Sequence, residues 1–257
     1  MEYISSKANP TIKYYNSLER GKIRTRDGVF LLEGDVLVRE AMAAGVSFVS
    51  VLVNQTRLDS VRDLVNVLES RGVPIYSVAP AALAHASTLD TPQSILAIGK
   101  TPKTQLTISP VGRYVVCEQI QNPGNAGAIL RSAAAFNFSG VFFVGGCDIY
   151  SPKVLRGSMG AVFKVPVFTC DSPQQVAALL DQHNIQTYAA VVEDAALPIT
   201  DVTFSNGSAV WIGNEGNGLS KDAVDLCSNK VYIPMQRHTE SLNASVAASI
   251  FMWEMSK

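Results

Sequence analysis

From Val29 onward the chain alternates short apolar runs with stretches of helical periodicity. Val29–Leu32, Val46–Val53 and Ile75–Val78 are β-rich runs of strand length. Between them, Asp35–Ala44 and Ser60–Ser70 carry their apolar residues at helical spacing. Such alternation predicts an α/β domain. A further apolar run, Ser94–Ile98, closes it, and Lys100–Gly112 (KTPKTQLTISPVG) mixes Pro, Thr and Ser with no period. The expected organisation is a first domain over 1–100, a linker over 101–112 and a second domain over 113–257.

The second half repeats the alternation with more apolar strands, at Tyr114–Glu118, Val141–Val144, Val165–Phe168, Thr187–Val192, Ala209–Ile212 and Val231–Ile233. Most of these are continuously apolar, which suits a mainly parallel sheet buried on both faces. Helices are expected near Ala126–Phe136, Pro173–His183, Lys221–Cys227 and Asn243–Met255. No repeat of solenoid period is present.

Composition narrows the class. With 257 residues, 47% hydrophobic and 17% charged, the chain can fill more than one small core. No apolar run approaches the ~20 residues that span a bilayer, and MEYISSKANP lacks the apolar stretch of a secretory signal, so a cytoplasmic protein with no membrane association is expected. Cys117, Cys147, Cys170 and Cys227 form no C-x-x-C pair and have no histidine at ligand spacing, which argues against a metal site or a disulfide framework. The net charge of −1 excludes a general polycation, so nucleic-acid binding would need a local patch. One exists: residues 7–26 hold Lys7, Lys13, Arg20, Lys22, Arg24 and Arg26 against Glu19 alone. It reads either as a solvated helix face followed by a polar turn or as a set of phosphate contacts.

Three loops carry candidate chemistry. Asn122-Pro-Gly-Asn-Ala-Gly-Ala-Ile-Leu-Arg131 follows a strand and opens a helix, where free backbone N–H groups favour anions and polar ligands, with Asn125 as a candidate cap. Arg131 has small residues, Gly127, Ala128, Ala134 and Ala135, at its helical neighbours. It is either an ordinary snorkelling Arg or a planar donor fork for a ribose-phosphate partner. The second loop, Ile212-Gly-Asn-Glu-Gly-Asn-Gly-Leu-Ser220, places glycines at 213, 216 and 218, which allow positive φ and close backbone approach, with Ser220 as a helix cap. Its G-x-x-G-x-G order is not the dinucleotide fingerprint. The third, Ile233-Pro-Met-Gln-Arg-His-Thr-Glu-Ser-Leu-Asn243, runs into a helix with Val246, Ile250 and Trp253 on one stripe. So apolar a helix must be buried in its domain or against a second subunit. Ser241 or Asn243 caps it.

Taken in order, NPGNAGAILRSAAAF, IGNEGNGLS and IPMQRHTESLNASVAASI resemble the three motifs of the SpoU (TrmH-type) RNA 2′-O-ribose methyltransferases of the SPOUT superfamily. Each loop alone is weak, whereas the ordered set is specific. FLLEGDVLVREAMAAG and TPQSILAIG are similar to that family's substrate-binding domain, so the resemblance covers roughly 5–255. It implies an N-terminal ribosomal-protein-like α/β domain that holds RNA, most simply ribosomal RNA, and a C-terminal trefoil-knot methyltransferase domain that binds S-adenosylmethionine and works as a homodimer. The knot comes from the resemblance alone, since chain-topology rules treat knots as near-absent.

Carried over position by position, the cofactor contacts fall on Gly213, Ile233 and Leu242, and the catalytic set on Asn125, Arg131, Glu215, Ser241 and Asn243. Lys7, Lys22, Arg24 and Arg26 are the expected RNA contacts. Arg237 departs from the family pattern, in which Gly commonly stands two residues after the Met, and His238 beside it has no assigned role. The resemblance implies that Arg131 assists loss of the ribose hydroxyl proton, either as a base or as a phosphate-orienting cation that stabilises the developing alkoxide. No metal is implied. Transfer RNA as substrate, or an RNA-binding protein without catalysis on the same fold, are the alternatives.

Overall fold

The computed structural model describes residues 1–102, 106–193, 195–236 and 241–257. Its elements in chain order are β1 (Glu2–Ile4), α1 (Pro10–Ser17), α2 (Gly21–Asp27), β2 (Val29–Glu33), α3 (Asp35–Ala43), β3 (Phe48–Asn54), α4 (Arg62–Ser70), β4 (Ile75–Val78), α5 (Pro80–Ala86) and β5 (Ile95–Lys100). There follow β6 (Arg113–Glu118), α6 (Pro123–Ala135), β7 (Gly140–Val144), α7 (Pro152–Ser158), β8 (Val167–Cys170), α8 (Pro173–Gln182), β9 (Gln186–Ala190), β10 (Leu197–Pro198), β11 (Ser208–Ile212), α9 (Lys221–Asp225), β12 (Asn229–Tyr232) and α10 (Ala244–Met255). Two compact units result, one of residues 1–103 with 148–163, the other of 104–147 with 164–257.

The first unit is built on a five-stranded sheet of order β1-β4-β3-β5-β2. β1, β4 and β3 run parallel, while β5 returns antiparallel between β3 and β2. Its core gathers Ile12, Tyr15 and Leu18 from around α1 with Leu31, Leu52, Leu96 and Ile98 from the strands. The basic stretch 7–26 folds as two helices instead of a helix and a turn. Asn9 accepts from the Thr11 amide and Pro10 supplies a preset first turn for α1, whereas Gly28 ends α2 in the left-handed region at φ 63°.

Residues 148–163 group with this unit, so the contiguous second domain over 113–257 expected from the sequence is corrected. Tyr150 stacks on Phe30 at 5.3 Å, Phe163 meets the same ring at 5.7 Å, and Arg156 reaches Glu33 at 3.4 Å. The physical reason is the edge strand β2, buried at all five positions, against which α7 packs. A boundary drawn from composition finds only contiguous domains and cannot see such an exchange.

The second unit is a seven-stranded, all-parallel sheet of order β10-β12-β9-β11-β6-β7-β8. The expected parallel sheet is thus present, with strand ends within about two residues of the expected ones at β8, β9 and β12. Trp211, Tyr114, Phe142 and Phe168 form part of its core. The β11–β6 register pairs Ile212 with Cys117, so the loops that follow these two strands leave the same edge of the sheet side by side. α10 packs on α6 and on β11, which returns the segment after β12 to those two loops. The carboxyl ends of parallel strands are where open α/β sheets bind ligands.

Candidate active site

The β6–α6 loop begins the site. Asn122, not Asn125, caps α6: its Oδ1 accepts from the Gly124 amide at 2.8 Å, with Pro123 in the first helical position. Asn125 therefore lies inside the first turn, buried, with its side chain free to act across the structure. It donates through Nδ2 to Glu215 Oε1 at 2.9 Å and accepts through Oδ1 from Asn243 Nδ2 at 3.0 Å. Asn243 in turn caps α10, its Oδ1 accepting from the Ser245 and Val246 amides at 2.9 and 3.3 Å. One continuous hydrogen-bonded chain, Glu215–Asn125–Asn243, joins all three loops.

Glu215 is the anchor of that chain. Besides Asn125, its carboxylate accepts from the backbone amides of Asn122 at 3.0 Å and Gln121 at 3.1 Å. Burial alone would raise its pKa, but the hydrogen bonds from Asn125, Asn122 and Gln121 outweigh that and hold it below the ordinary value. The carboxylate stays ionised and satisfied at neutral pH.

Beside this chain lies a cavity of about 370 Å³, within the usual size of a cofactor site. Gly213, Ile233 and Leu242 line it, as do Glu215, Ser241, Leu219 and Phe251. Gly213 is required by space: a Cβ there would lie 2.1 Å from the Gly218 carbonyl carbon and the Leu219 nitrogen. Of the three glycines that allow positive φ in this loop, Gly218 adopts it (φ 68°). Ser220 caps α9 as expected and also donates its amide and hydroxyl to Glu118, a buried carboxylate that sequence reasoning missed.

Other residues are placed differently. Arg131 is exposed on α6, and among the described residues its guanidinium has no hydrogen bond or ion pair, so it stands apart from the Glu215–Asn125–Asn243 chain. Lys7, Lys22 and Arg26 are exposed, Arg26 paired with Asp27 at 2.7 Å. Arg24 is a correction to the expected RNA contacts: it is 5% exposed, donates to the Leu18 and Glu19 carbonyls at 2.5 and 2.7 Å, and pairs with Asp148. The helical period of α2 turns it inward, where those acceptors consume it. On α10, Ala244, Ala248, Phe251, Met252 and Met255 are buried, whereas Val246 and Trp253 are 47% and 55% exposed. Arg237 and His238 lie outside the described residues.

Residues 112–253 match the model of the SpoU rRNA methylase family, and residues 9–97 match an MRM3-like substrate-binding domain. The chain belongs to the SpoU rRNA methylase family. It is an S-adenosylmethionine-dependent RNA 2′-O-ribose methyltransferase with the α/β fold of SPOUT methyltransferases. Among its relatives is the 23S rRNA guanosine 2′-O-methyltransferase RlmP of Bacillus subtilis, 29% identical over 99% of both chains. An uncharacterised tRNA/rRNA methyltransferase of Synechocystis is 31% identical over 98% of this chain and 92% of its own. Among solved structures, an RNA 2′-O ribose methyltransferase superposes with TM-score 0.83 at 32% identity, covering 98% and 97% of the two chains. The SpoU methyltransferase AviRb of Streptomyces viridochromogenes, in complex with AdoMet, gives 0.88 at 26% identity over 96% and 97%.

Within this SpoU chain the residues present fit that cofactor. The cavity is walled by backbone brought close through Gly213, by apolar Ile212, Leu219, Ile233 and Leu242, and by the polar Ser241 and Glu193. Such a mixture suits an adenosine stacked on apolar side chains and recognised by main-chain groups. Among the described residues no cluster of three His, Cys, Asp or Glu suited to a metal is found, and no helix is long and apolar enough to cross a membrane.

Proposed function

We propose that this enzyme acts on ribosomal RNA, with Gly213, Ile233 and Leu242 holding S-adenosylmethionine and Asn125, Arg131, Glu215, Ser241 and Asn243 receiving the target nucleotide. The observation that carries the assignment is the Glu215–Asn125–Asn243 chain beside the cavity, to which Glu215 and Ser241 both contribute. When bound, the cofactor supplies an electrophilic sulfonium methyl.

The protein's task is then alignment and charge management. Holding a ribose 2′-oxygen in line with the methyl can lower the barrier by ~7–11 kcal/mol. Asn125 is held by Glu215 and Asn243, and Asn243 by Asn125 and the first amides of α10, so neither must reorganise when the ribose arrives. Ser241, exposed at the cavity wall, offers a hydroxyl to the nucleotide. Arg131 supplies the cation, orienting the phosphate beside the target ribose and stabilising the alkoxide as the hydroxyl proton leaves.

Lys7, Lys22 and Arg26 make sequence-independent phosphate contacts from the first unit. A second copy of the chain covers the open apolar face on α10, where Val246 and Trp253 are exposed and the Phe136 ring lies 5.7 Å from that of Trp253. The working compartment in this reading is the cytoplasm.

The deciding experiment is transfer of labelled methyl from S-adenosylmethionine to unmodified ribosomal and transfer RNA by wild type and Arg131→Ala, followed by alkaline hydrolysis. Label retained in alkali-resistant dinucleotides of ribosomal RNA, and lost in the variant, supports the proposal. Label in transfer RNA alone overturns the substrate, and full activity of Arg131→Ala overturns the role of that residue.

A further inference from the structure

We infer that Asn214 is a positioning residue, a two-sided clamp that fixes the β11–α9 loop in the shape that presents Glu215 to the β6–α6 loop and closes the cavity wall. The inference rests on reading that cavity as the cofactor site. On one side, Asn214 organises its own loop: Oδ1 accepts from the Gly216 and Asn217 amides at 2.9 and 3.1 Å, and its main chain exchanges two 2.9 Å hydrogen bonds with Gly218. On the other, Nδ2 reaches out of the loop to the Gln119 carbonyl at 2.8 Å. Both polar atoms of the amide head, Oδ1 and Nδ2, are thus engaged, one in each task.

The receiving carbonyl is itself a special one. Gln119, directly after β6, has φ 54°, in the left-handed region that a residue with a Cβ enters at a cost of about 1–2 kcal/mol. Two neighbours hold it there. Its amide donates to the Val144 carbonyl at 2.9 Å, and its side chain lies over Gly145, where an added Cβ would be 2.2 Å from Nε2. Strained backbone held from several sides next to a site of chemistry is a mark of preorganisation.

The consequence follows from chain order. Asn214 and Glu215 are consecutive, and they grip residues 119 and 121–122 of one short segment. Gly213, immediately before them, leaves no free space against Gly218 and Leu219, so the loop crosses itself tightly and cannot absorb a shift at Asn214 locally. Releasing the Nδ2 contact transfers the displacement to Glu215 and to the cavity wall that residues 213–219 form.

A residue that merely shapes a turn needs only the Oδ1 acceptor, whereas the clamp also needs the Nδ2 donor. Asn214→Asp separates the two, because a carboxylate keeps the acceptor for Gly216 and Asn217 but sets oxygen against the Gln119 carbonyl. The test compares wild type, Asn214→Asp and Asn214→Ala in three measurements on the full chain: titration calorimetry with S-adenosylmethionine, amide hydrogen exchange, and thermal unfolding. The inference expects Asn214→Asp to bind S-adenosylmethionine about tenfold more weakly, to exchange the Gln121 and Asn122 amides about tenfold faster, and to keep Gly216 protected and the melting temperature within about 2 °C. Asn214→Ala is expected to lose protection at Gly216 as well. Wild-type affinity and exchange in Asn214→Asp would leave Asn214 as a turn residue and overturn the clamp, as would a large fall in melting temperature with uniform loss of protection. If wild type itself does not bind the cofactor, the reading of the cavity fails, while exchange at Gln121 and Asn122 still decides the clamp.

Discussion

The side-chain amide of Asn125 donates to the carboxylate of Glu215 at 2.9 Å, joining residues 90 positions apart in sequence. Because Glu215 also accepts from two backbone amides of the β6–α6 loop, removing it releases three donors at once. Glu215→Gln is expected to lower methyl transfer by about 10–100-fold while costing about 1 kcal/mol or less in stability, since the group is largely solvent-exposed. Transfer assays beside thermal unfolding check this, and a loss of activity that tracks a loss of fold would refute it.

The same carboxylate sets a pH dependence. Its pKa in the folded chain is depressed, so its contribution is complete above the unfolded value of about 4.3 and is lost as pH falls through the lower, folded value. Following the Glu215 side-chain carbon by NMR should give a midpoint below that of a model Glu, and the Gln121 and Asn122 amides should stay protected down to that midpoint. A midpoint above about 4.3 would mean that burial, not the three donors, dominates.

Arg131 should separate binding from chemistry. Arg131 has no hydrogen-bond or ion-pair partner among the described residues, so its loss removes no such contact to them. Arg131→Ala is expected to keep cofactor affinity and melting temperature and to lower methyl transfer by about 10²–10⁴-fold. Calorimetry and single-turnover transfer report the two halves. A weakened cofactor complex would place Arg131 in the cavity wall instead.

The cations of the first unit should divide by burial. Arg24→Met removes donors from the Leu18 and Glu19 carbonyls and leaves Asp148 unpaired, at a cost of about 2 kcal/mol in stability. Neutralising Lys7 and Lys22, both exposed, should leave stability within about 0.5 kcal/mol and lower the salt slope of RNA binding by about one to two. Denaturant melts and filter binding at several salt concentrations distinguish the classes. An unchanged slope would assign the patch to solvent.

The apolar face of α10 makes a prediction about assembly. If the proposed second copy covers this face, Trp253→Asp or Val246→Asp shifts the protein to monomer in sedimentation, because a charge buried in that contact is strongly unfavourable. A wild-type monomer at micromolar concentration would remove the need for a partner on that face.

Much of this was readable in the chain order of residue types. Continuous apolar runs at Tyr114–Glu118 and Ala209–Ile212 announced buried parallel strands because a strand covered on both faces has no polar side to show. The three loops were found because glycines, amides and the acids Glu215 and Glu240 follow apolar runs at strand ends, and their order carried the family. Ser220 was legible as a cap and Asn243 as one of two candidates with Ser241, since capping is a local contest between a side chain and the next backbone amides.

What only tertiary structure decided were the pairings made at long range. Asn125 read locally as a cap, yet Asn122 takes that place and releases Asn125 to bridge Glu215 and Asn243. Arg24 read as one basic residue among six, yet the turn of α2 points it inward to carbonyl acceptors and to Asp148, far along the chain. Residues 148–163 read as part of the second half, yet the apolar edge of β2 takes them into the first unit. Hydrophobic period and capping are properties of a few consecutive residues and so are written in sequence. Which polar group meets which, and where a segment finds cover, depend on the packing of whole elements, and no window of the chain contains that information.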